Sequence, residues 1–164
     1  MFATIRSTIA FIAFSLATPV FADEAVLTIT GLVASPVEGG AWVFDMDGLK
    51  ALPAESFETE TIWTDGPQRF EGVPLFALLE HVGADGGTIR AVALNDYAVS
   101  IPSTDAIEGG PIVAYARNGD AMSVRDKGPL WIVYPFDYND TYKSEEYYSR
   151  SIWQLDRIEI VPEE

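Results

Sequence analysis

The stretch Gly128-Pro129-Leu130-Trp131-Ile132-Val133-Tyr134-Pro135 carries the clearest structural information in this sequence. Apolar and aromatic strand formers fill positions 130–134, and turn-forming residues stand on either side. The stretch therefore predicts a short apolar strand, with Trp131 in the core of the protein.

On both sides of this stretch, the chain alternates short strand-forming runs with glycine- and proline-rich turns. Strands are predicted at 26–30, 42–44, 56–63, 89–94, 97–101, 112–115 and 158–160. No internal repeat is present, and no linker is long enough to divide the chain. The pattern predicts an α+β fold, specifically a β-rich domain with a mixed sheet.

The clearest helix is predicted to begin at Pro74, a residue well suited to the first helical position. Apolar residues follow at helical spacing, and Gly83 provides the stop. The apolar positions are Leu75, Leu78, Leu79 and Val82. His81 falls off this stripe near the helix end, which favours a structural or solvent-facing histidine over a ligand. One or two further helical turns are predicted at 45–52.

Composition narrows the classes of function. The 164 residues include 10 Lys+Arg and 25 Asp+Glu, which gives a formal net charge of −15. So few cations argue against nucleic-acid binding, which needs a basic face. The chain has no cysteine and one histidine. Disulfides, thiolate metal ligands and cysteine nucleophiles are therefore excluded, and ordinary structural zinc sites are disfavoured.

The first 22 residues have the layout of a secretory signal peptide. Arg6 precedes an apolar run at 9–16, and Val20-Phe21-Ala22 offers a cleavage site before Asp23. A retained membrane anchor is the alternative, but the apolar run is short for a bilayer span. We therefore expect residues 1–22 to be removed and 23–164 to form one exported domain that is not embedded in a membrane.

A polar stretch at 137–150 separates two apolar strands and contains Tyr138, Tyr142, Tyr147 and Tyr148. A connection this long is more often functional than idle, and tyrosines suit contact with a planar ligand or a partner surface. A solvated loop whose rings cover neighbouring loops remains the alternative. Arg150 could likewise serve a ligand or pair with a carboxylate.

Common enzyme motifs are missing from the sequence. It has no GxSxG elbow, no HExxH and no glycine-rich phosphate loop. Carboxylate pairs exist, but spacing along the chain does not establish a glycosidase site. The residues thus favour a binding module over an enzyme, and no catalytic residue or metal ligand is assigned.

Five motifs occur in an order that resembles the molybdopterin-binding domain of the sulfite oxidase family. They extend over nearly the whole chain after residue 22 and are Phe70-Glu71-Gly72-Val73-Pro74-Leu75, Ala93-Leu94-Asn95-Asp96-Tyr97, Ile112-Val113-Ala114-Tyr115, Gly128–Pro135 and Arg150-Ser151-Ile152-Trp153. The resemblance implies a sulfite oxidase-like fold with a pocket for a pterin-like ring.

The chain departs from this family at the metal. The enzymes hold molybdenum through a cysteine thiolate, whereas the corresponding region here reads Thr61-Ile62-Trp63-Thr64-Asp65. The family has a basic residue at the position that follows Gly128-Pro129-Leu130, whereas this chain has Trp131 there. The chain looks most like the small exported, cysteine-free branch of this fold. That likeness implies a periplasmic protein that binds a pterin, in oxidised or reduced form and without molybdenum. It also implies signalling to the periplasmic sensor domain of a membrane-bound cyclic-di-GMP enzyme.

The resemblance also implies the ligand-binding residues. Trp63 would stack on the ring or form a wall beside it, Asp96 would accept from the pterin amino group, and Tyr97 would lie beside Asp96. Arg150 and Ser151 would lie along the pterin. Weaker candidates are Asp137, Tyr148 and Trp131.

Three functions remain open on the sequence. The first is a non-catalytic pterin receptor. The second is a molybdopterin-dependent oxidoreductase or a subunit of one. The third is an interaction domain that has lost its pocket.

Overall fold

Two β-sheets and three short α-helices form the fold of residues 24–34 and 40–163, the part of the chain described by this computed structural model. The strands are β1 (Leu27–Gly31), β2 (Trp42–Phe44), β3 (Glu55–Glu60), β4 (Pro67–Pro74), β5 (Thr88–Ala93), β6 (Ala98–Pro102), β7 (Ile112–Arg117), β8 (Asp120–Ala121), β9 (Trp131–Val133) and β10 (Leu155–Val161). The helices are α1 (Met46–Lys50), α2 (Leu75–His81) and α3 (Glu145–Arg150).

The first sheet is mixed and has the strand order β2-β1-β10-β5-β6. Its one parallel pair joins β1 to β10, with Ile29 opposite Ile158. The second sheet is antiparallel: β4 lies between β3 and β7, and both β8 and β9 pair with β7. The prediction of a β-rich α+β domain with a mixed sheet is confirmed.

Helix α2 follows the predicted apolar pattern. Leu75, Leu78 and Val82 are fully buried, and Gly83 follows with a φ of +62°, a conformation that favours glycine. Pro74 is the helix cap as well as the last residue of β4. His81 is exposed, and its ring stands edge-on to Trp42 with the centroids 5.1 Å apart.

Strand β4 is central to the second sheet but was not predicted. Pro67 and Pro74 lie at its ends and Gly72 within it, and these residue types are depleted in strands. The tertiary structure requires Gly72, because a Cβ there would lie 2.1 Å from the carbonyl oxygen of Val113. The pairing with β7 also shifts register between Glu71 and Gly72, as at a β-bulge.

Two local predictions need correction. Strand β3 ends at Glu60 rather than at 63, because residues 61–64 turn and the Thr61 and Thr64 hydroxyl oxygens approach to 2.8 Å. The polar stretch at 137–150 is not an open loop, since it contains a 3₁₀ turn at Asp140–Tyr142 and then α3. Helix α3 lacks a regular apolar stripe and is stabilised by tertiary contacts, which the sequence pattern does not reveal.

The proposed signal peptide and its cleavage site lie outside the described residues. Within 24–34 and 40–163, no helix combines the length and apolar character needed to cross a membrane.

Candidate functional site

An aromatic cleft of about 420 Å³ lies where the turn after β3 meets α3, the β5–β6 turn and the segment that leads into β10. This volume falls within the usual range for small-molecule sites. The lining residues are Trp63, Ala93, Asn95, Tyr97, Tyr148, Ser149, Ser151, Ile152, Trp153 and Gln154.

Three rings give the cleft its shape. The Trp63 ring centroid lies 5.4 Å from that of Trp153 and 5.9 Å from that of Tyr148, and the corresponding ring planes are 72° and 85° apart. A planar molecule stacked on the Trp63 ring would therefore lie at a steep angle to the rings of Trp153 and Tyr148. Edge-to-face and offset-stacked contacts are the arrangements that aromatic systems prefer.

Local hydrogen bonds hold Trp63 at the cleft. Its backbone N–H donates to the hydroxyl oxygen of Thr61 at 3.2 Å, and Thr61 is itself buried. Behind the ring, Trp131 and Phe136 approach with centroid distances of 5.9 and 6.5 Å. The turn that follows β3 thus presents Trp63 from a rigid base.

The wall that carries Ser151 and Trp153 is attached to β9. Ile132 N–H donates to the Ile152 carbonyl at 2.9 Å, and the Trp131 indole N–H donates to the Ser151 carbonyl at 3.3 Å. The ammonium group of Lys127 lies 4.5 Å from the Trp153 ring centroid, within cation–π range. Strand β9 therefore supports the cleft from inside the protein.

Four of the eight predicted ligand-binding residues line this cleft. They are Trp63, Tyr97, Tyr148 and Ser151. Trp131 is fully buried and lies behind Trp63, so it supports the cleft wall instead of lining it. The ligand-binding role of the four lining residues stays a prediction.

Arg150 does not line the cleft, which corrects the expectation that it lies along the ligand beside Trp63. Its Nη1 donates to Asp105 Oδ2 at 2.9 Å, and its Nη2 donates to Glu146 Oε1 at 2.5 Å. The guanidinium also lies 5.0 Å from the Tyr147 ring centroid. The Arg150 side chain is 13% exposed and that of Asp105 is 8% exposed. The guanidinium of Arg150 forms an ion pair with the buried Asp105 carboxylate, and this pair holds α3 in place.

Tyr134 completes this buried network. Its hydroxyl donates to Asp105 Oδ2 at 2.7 Å. Burial raises the pKa of Tyr134 well above its ordinary value, and the hydrogen bond to Asp105 raises it further. Burial likewise raises the pKa of Tyr142 and of Tyr115.

These raised pKa values predict loss of stability in alkali. The contribution of Tyr115, Tyr134 and Tyr142 is complete below the unfolded tyrosine pKa of about 10 and is lost as the pH rises through the folded values. We expect the ionisation of these residues, followed by tyrosinate absorbance, to coincide with unfolding followed by circular dichroism. Tyr134→Phe should remove part of the alkaline absorbance change that accompanies unfolding. If that part instead appears while the fold is intact, the burial argument for Tyr134 is wrong.

Asp96 also faces away from the cleft. Its carboxylate pairs with Arg157, and its backbone occupies the left-handed region with a φ of +65°. The expectation that Asp96 accepts from a bound ring is therefore corrected. The adjacent residue, Asn95, lines the cleft in its place.

Asp137 lines a smaller neighbouring cavity of about 280 Å³, which shares Tyr148 with the cleft. Its Oδ2 accepts from the Glu60 N–H at 2.6 Å, and its Oδ1 lies 3.0 Å from Lys143 Nζ. The Glu60 N–H bond lowers the pKa of Asp137, and Lys143 lowers it further. Asp137 thus connects the end of β3 to the stretch that leads into α3.

Asp137→Asn should lower the free energy of unfolding by about 1 kcal/mol near neutral pH, because it weakens a charged hydrogen bond to the backbone. A lowered folded pKa contributes stability above the unfolded value of about 3.9, and this contribution disappears as the pH falls through the folded value. Urea unfolding over that pH range should show the two proteins converging in acid. Asp140→Asn is the matched control because the Asp140 carboxyl also lies near Lys143, at 3.7 Å, but is fully exposed and does not accept from the Glu60 N–H. A constant gap between wild type and Asp137→Asn at all pH values would contradict this assignment.

Sequence reasoning missed several lining residues, among them Asn95, Trp153 and Gln154. Two of them adjoin predicted positions, since Asn95 precedes Asp96 and Trp153 follows Ser151 by two residues. Their position in or beside the family motifs was the feature of the sequence that could have indicated them. Which residue of a turn faces the cleft, however, depends on the backbone conformation. No feature of the sequence indicated Gln154 as a lining residue. Its left-handed backbone conformation, with a φ of +53°, is evident only from the structure.

The donor set does not suit a metal held by a thiolate. The chain has no cysteine, and residues 24–34 and 40–163 contain no group of three or more histidine, aspartate or glutamate side chains placed to hold a metal ion. The aromatic walls do suit the flat heterocycle of a pterin. The residues that line the cleft therefore suit a flat heterocyclic ring better than a metal ion.

Comparison with solved structures gives the fold a counterpart. The chain superposes on the sulfane dehydrogenase SoxCD from Paracoccus pantotrophus with a TM-score of 0.61 and 20% sequence identity. The fold is sulfite oxidase-like. This likeness covers 82% of the present chain and 37% of the SoxCD chain, so the present chain spans little more than a third of the length of the chain that it matches. No family model and no curated protein matches the sequence. The likeness confirms the expected fold.

Proposed function

We propose that this protein is a non-catalytic pterin-binding protein and that the pterin occupies the cleft formed by Trp63, Tyr148 and Trp153. The observation that carries the proposal is the set of nearly perpendicular rings around a space of about 420 Å³. A pterin is flat and carries hydrogen-bond donors and acceptors along one edge. Aromatic walls with a few polar groups are the usual solution for such a ligand.

The polar residues of the cleft favour a pterin without a phosphate group over a phosphorylated pterin. Asn95, Ser151 and Gln154 supply amides and a hydroxyl, and no lysine or arginine is among the residues that line the cleft. A phosphate group would favour cations able to form charge-assisted hydrogen bonds. The ligand we propose is accordingly a simple pterin, oxidised or reduced.

We further propose an exported, periplasmic protein that reports ligand binding to the sensor domain of a membrane-bound cyclic-di-GMP enzyme. The support is the leader-like pattern at 1–22 and the resemblance to the cysteine-free branch of the fold. The net charge of −15 suits a partner with a basic contact face.

An oxidoreductase subunit is the second candidate. It is favoured by the structural likeness to sulfane dehydrogenase SoxCD. On this alternative the domain would carry molybdopterin and contribute to a redox reaction within a larger assembly. The missing cysteine argues against this alternative, because the enzymes of the sulfite oxidase family that the chain resembles bind molybdenum through a cysteine.

Mass spectrometry of small molecules released from protein purified from its native compartment distinguishes these candidates. The proposal expects a stoichiometric pterin and negligible molybdenum. A stoichiometric molybdenum content in the same preparation would favour the oxidoreductase. If the preparation contains neither pterin nor molybdenum, and titration with oxidised or reduced pterin gives no calorimetric signal, the third function, an interaction domain without a ligand, is favoured.

A further inference from the structure

Two of the residues that line the aromatic cleft carry neutral amide side chains. Asn95 comes from the β5–β6 turn, and Gln154 from the segment before β10. Gln154 occupies the left-handed region, which is uncommon for a residue with a side chain. Conformations of this kind are enriched at binding sites, where the surrounding structure enforces them.

Hydrogen bonds to the backbone fix how each amide is oriented. The Asn95 side-chain oxygen accepts from the Tyr97 N–H at 3.2 Å, which orients the amide and leaves the N–H groups of its nitrogen as donors for a ligand. Gln154 is the reverse, because its Nε2 donates to the Val124 carbonyl at 2.7 Å and leaves Oε1 as the free end.

Both free ends are available to a ligand. Neither Asn95 Nδ2 nor Gln154 Oε1 has a further hydrogen bond within residues 24–34 and 40–163. Asn95 is an exposed residue, and among the described residues that are not exposed no buried side-chain nitrogen or oxygen lacks a partner, so Gln154 Oε1 also reaches solvent. The cleft thus offers one amide donor and one amide acceptor.

The backbone holds the two amides in a fixed relation to one another. The Leu94 N–H donates to the Gln154 carbonyl at 2.9 Å, and the Gln154 N–H donates to the Lys127 carbonyl at 3.0 Å. The turn that carries Asn95 is therefore bonded directly to the segment that carries Gln154. A prearranged donor and acceptor discriminate between ligands more sharply than mobile groups do.

We propose that Asn95 and Gln154 determine which pteridine this protein accepts, by reading the edge of the ring that carries positions 2, 3 and 4. This inference rests on the proposed function. The Asn95 amide donates to the 4-oxo group, and the Gln154 amide oxygen accepts from N3–H or the 2-amino group. The specified ligand class is a 2-amino-4-oxopteridine.

The chemistry explains why a close analogue is rejected. In 2,4-diaminopteridine a second amino group replaces the 4-oxo group, so two donors face each other at Asn95. Sites that hydrogen-bond a particular polar group discriminate against analogues without it, because the protein group is then left unpaired. Asn95→Asp replaces the donor by an acceptor of the same shape and keeps an oxygen for the Tyr97 N–H.

Calorimetric titration with pterin and with 2,4-diaminopteridine tests the assignment, at a pH where both rings are neutral. Wild type should bind pterin about tenfold or more tightly than the diamino analogue. Asn95→Asp should abolish or reverse that ratio. Asp96→Asn is the matched control, because it makes the opposite isosteric change one residue away in a side chain that faces Arg157, outside the cleft. It should retain the wild-type ratio.

The outcomes separate this inference from the function on which it rests. If wild type binds pterin but Asn95→Asp keeps the same ratio, the assignment of Asn95 is overturned and the proposed function stands. If Asp96→Asn shifts the ratio as much as Asn95→Asp, the discrimination does not come from the cleft amides and the inference is again overturned. If wild type binds neither pteridine, the inference and the proposed function fall together.

Discussion

Arg150→Ala should lower the free energy of unfolding by about 3–5 kcal/mol, the range for removing one partner of a buried ion pair. The Asp105 carboxylate, 8% exposed, would keep the Tyr134 hydroxyl but lose the cation at 2.9 Å. Helix α3 would lose its attachment to the segment after β6 at the same time. Urea unfolding followed by far-ultraviolet circular dichroism measures the change.

Two comparisons isolate the cause. Arg90→Ala removes an arginine from the pair with Glu159, in which both side chains are about half exposed, and should change stability little. The triple variant Tyr134→Phe/Asp105→Leu/Arg150→Met replaces both charges with apolar groups and also removes the Tyr134 hydroxyl, which would otherwise lose its acceptor, so it should recover much of the lost stability. A loss for Arg150→Ala no larger than that for Arg90→Ala would contradict the buried-pair account.

Trp63→Ala should weaken pterin binding by about tenfold or more, since stacking of a heterocycle on an aromatic side chain is worth about 1–3 kcal/mol. The Trp63 ring contacts both Tyr148 and Trp153, so its removal opens the cleft on two sides. Isothermal titration calorimetry is the appropriate measurement, because tryptophan fluorescence would change with the residue itself. Trp63→Phe should retain most of the affinity.

Trp42→Ala is the matched control for Trp63→Ala. The Trp42 ring stacks with Phe44 and meets His81, away from the cleft. This variant should reduce stability through lost packing while leaving the pterin affinity of the folded protein unchanged. If wild type and Trp63→Ala bind pterin with equal affinity, Trp63 is not part of the binding site. The proposed function then loses its main support.

The two predictions are linked through α3. Tyr148 and Ser149 line the cleft on this helix, and Arg150 holds its end to Asp105. Arg150→Ala should therefore also weaken ligand binding, although its side chain touches no part of the cleft. Arg150 is in this sense a positioning residue.

Much of the fold could be predicted because strong local patterns agree with the tertiary structure. The apolar run around Trp131 and the stripe of α2 are buried as their composition indicates. Strand β4 escaped prediction because its stability comes from pairing with β3 and β7 and not from the propensities of Pro67, Gly72 and Pro74. Helix α3 escaped for the same reason, since the Arg150–Asp105 pair and the tyrosine contacts stabilise a segment without a regular apolar stripe.

The candidate site could be predicted only in part. Trp63, Tyr97, Tyr148 and Ser151 lie in the cleft, whereas Asp96 and Arg150 do not. Each of those two charged side chains turns toward an opposite charge far along the chain, 61 residues away for Asp96 and 45 for Arg150. Arg150 also pairs with Glu146 four residues earlier, which a local pattern could indicate, but no local pattern contains Asp105 or Arg157.

The sequence by itself determined the strand-rich architecture, the absence of a thiolate ligand and the concentration of aromatic residues near the motifs. These properties depend on composition and on spacing within a few residues. The tertiary structure alone decided which member of each neighbouring pair faces the cleft, Asn95 rather than Asp96 and Ser151 rather than Arg150. Adjacent residues in a turn or at a helix end point in different directions. Their directions follow from backbone angles and distant partners that exist only once the chain has folded.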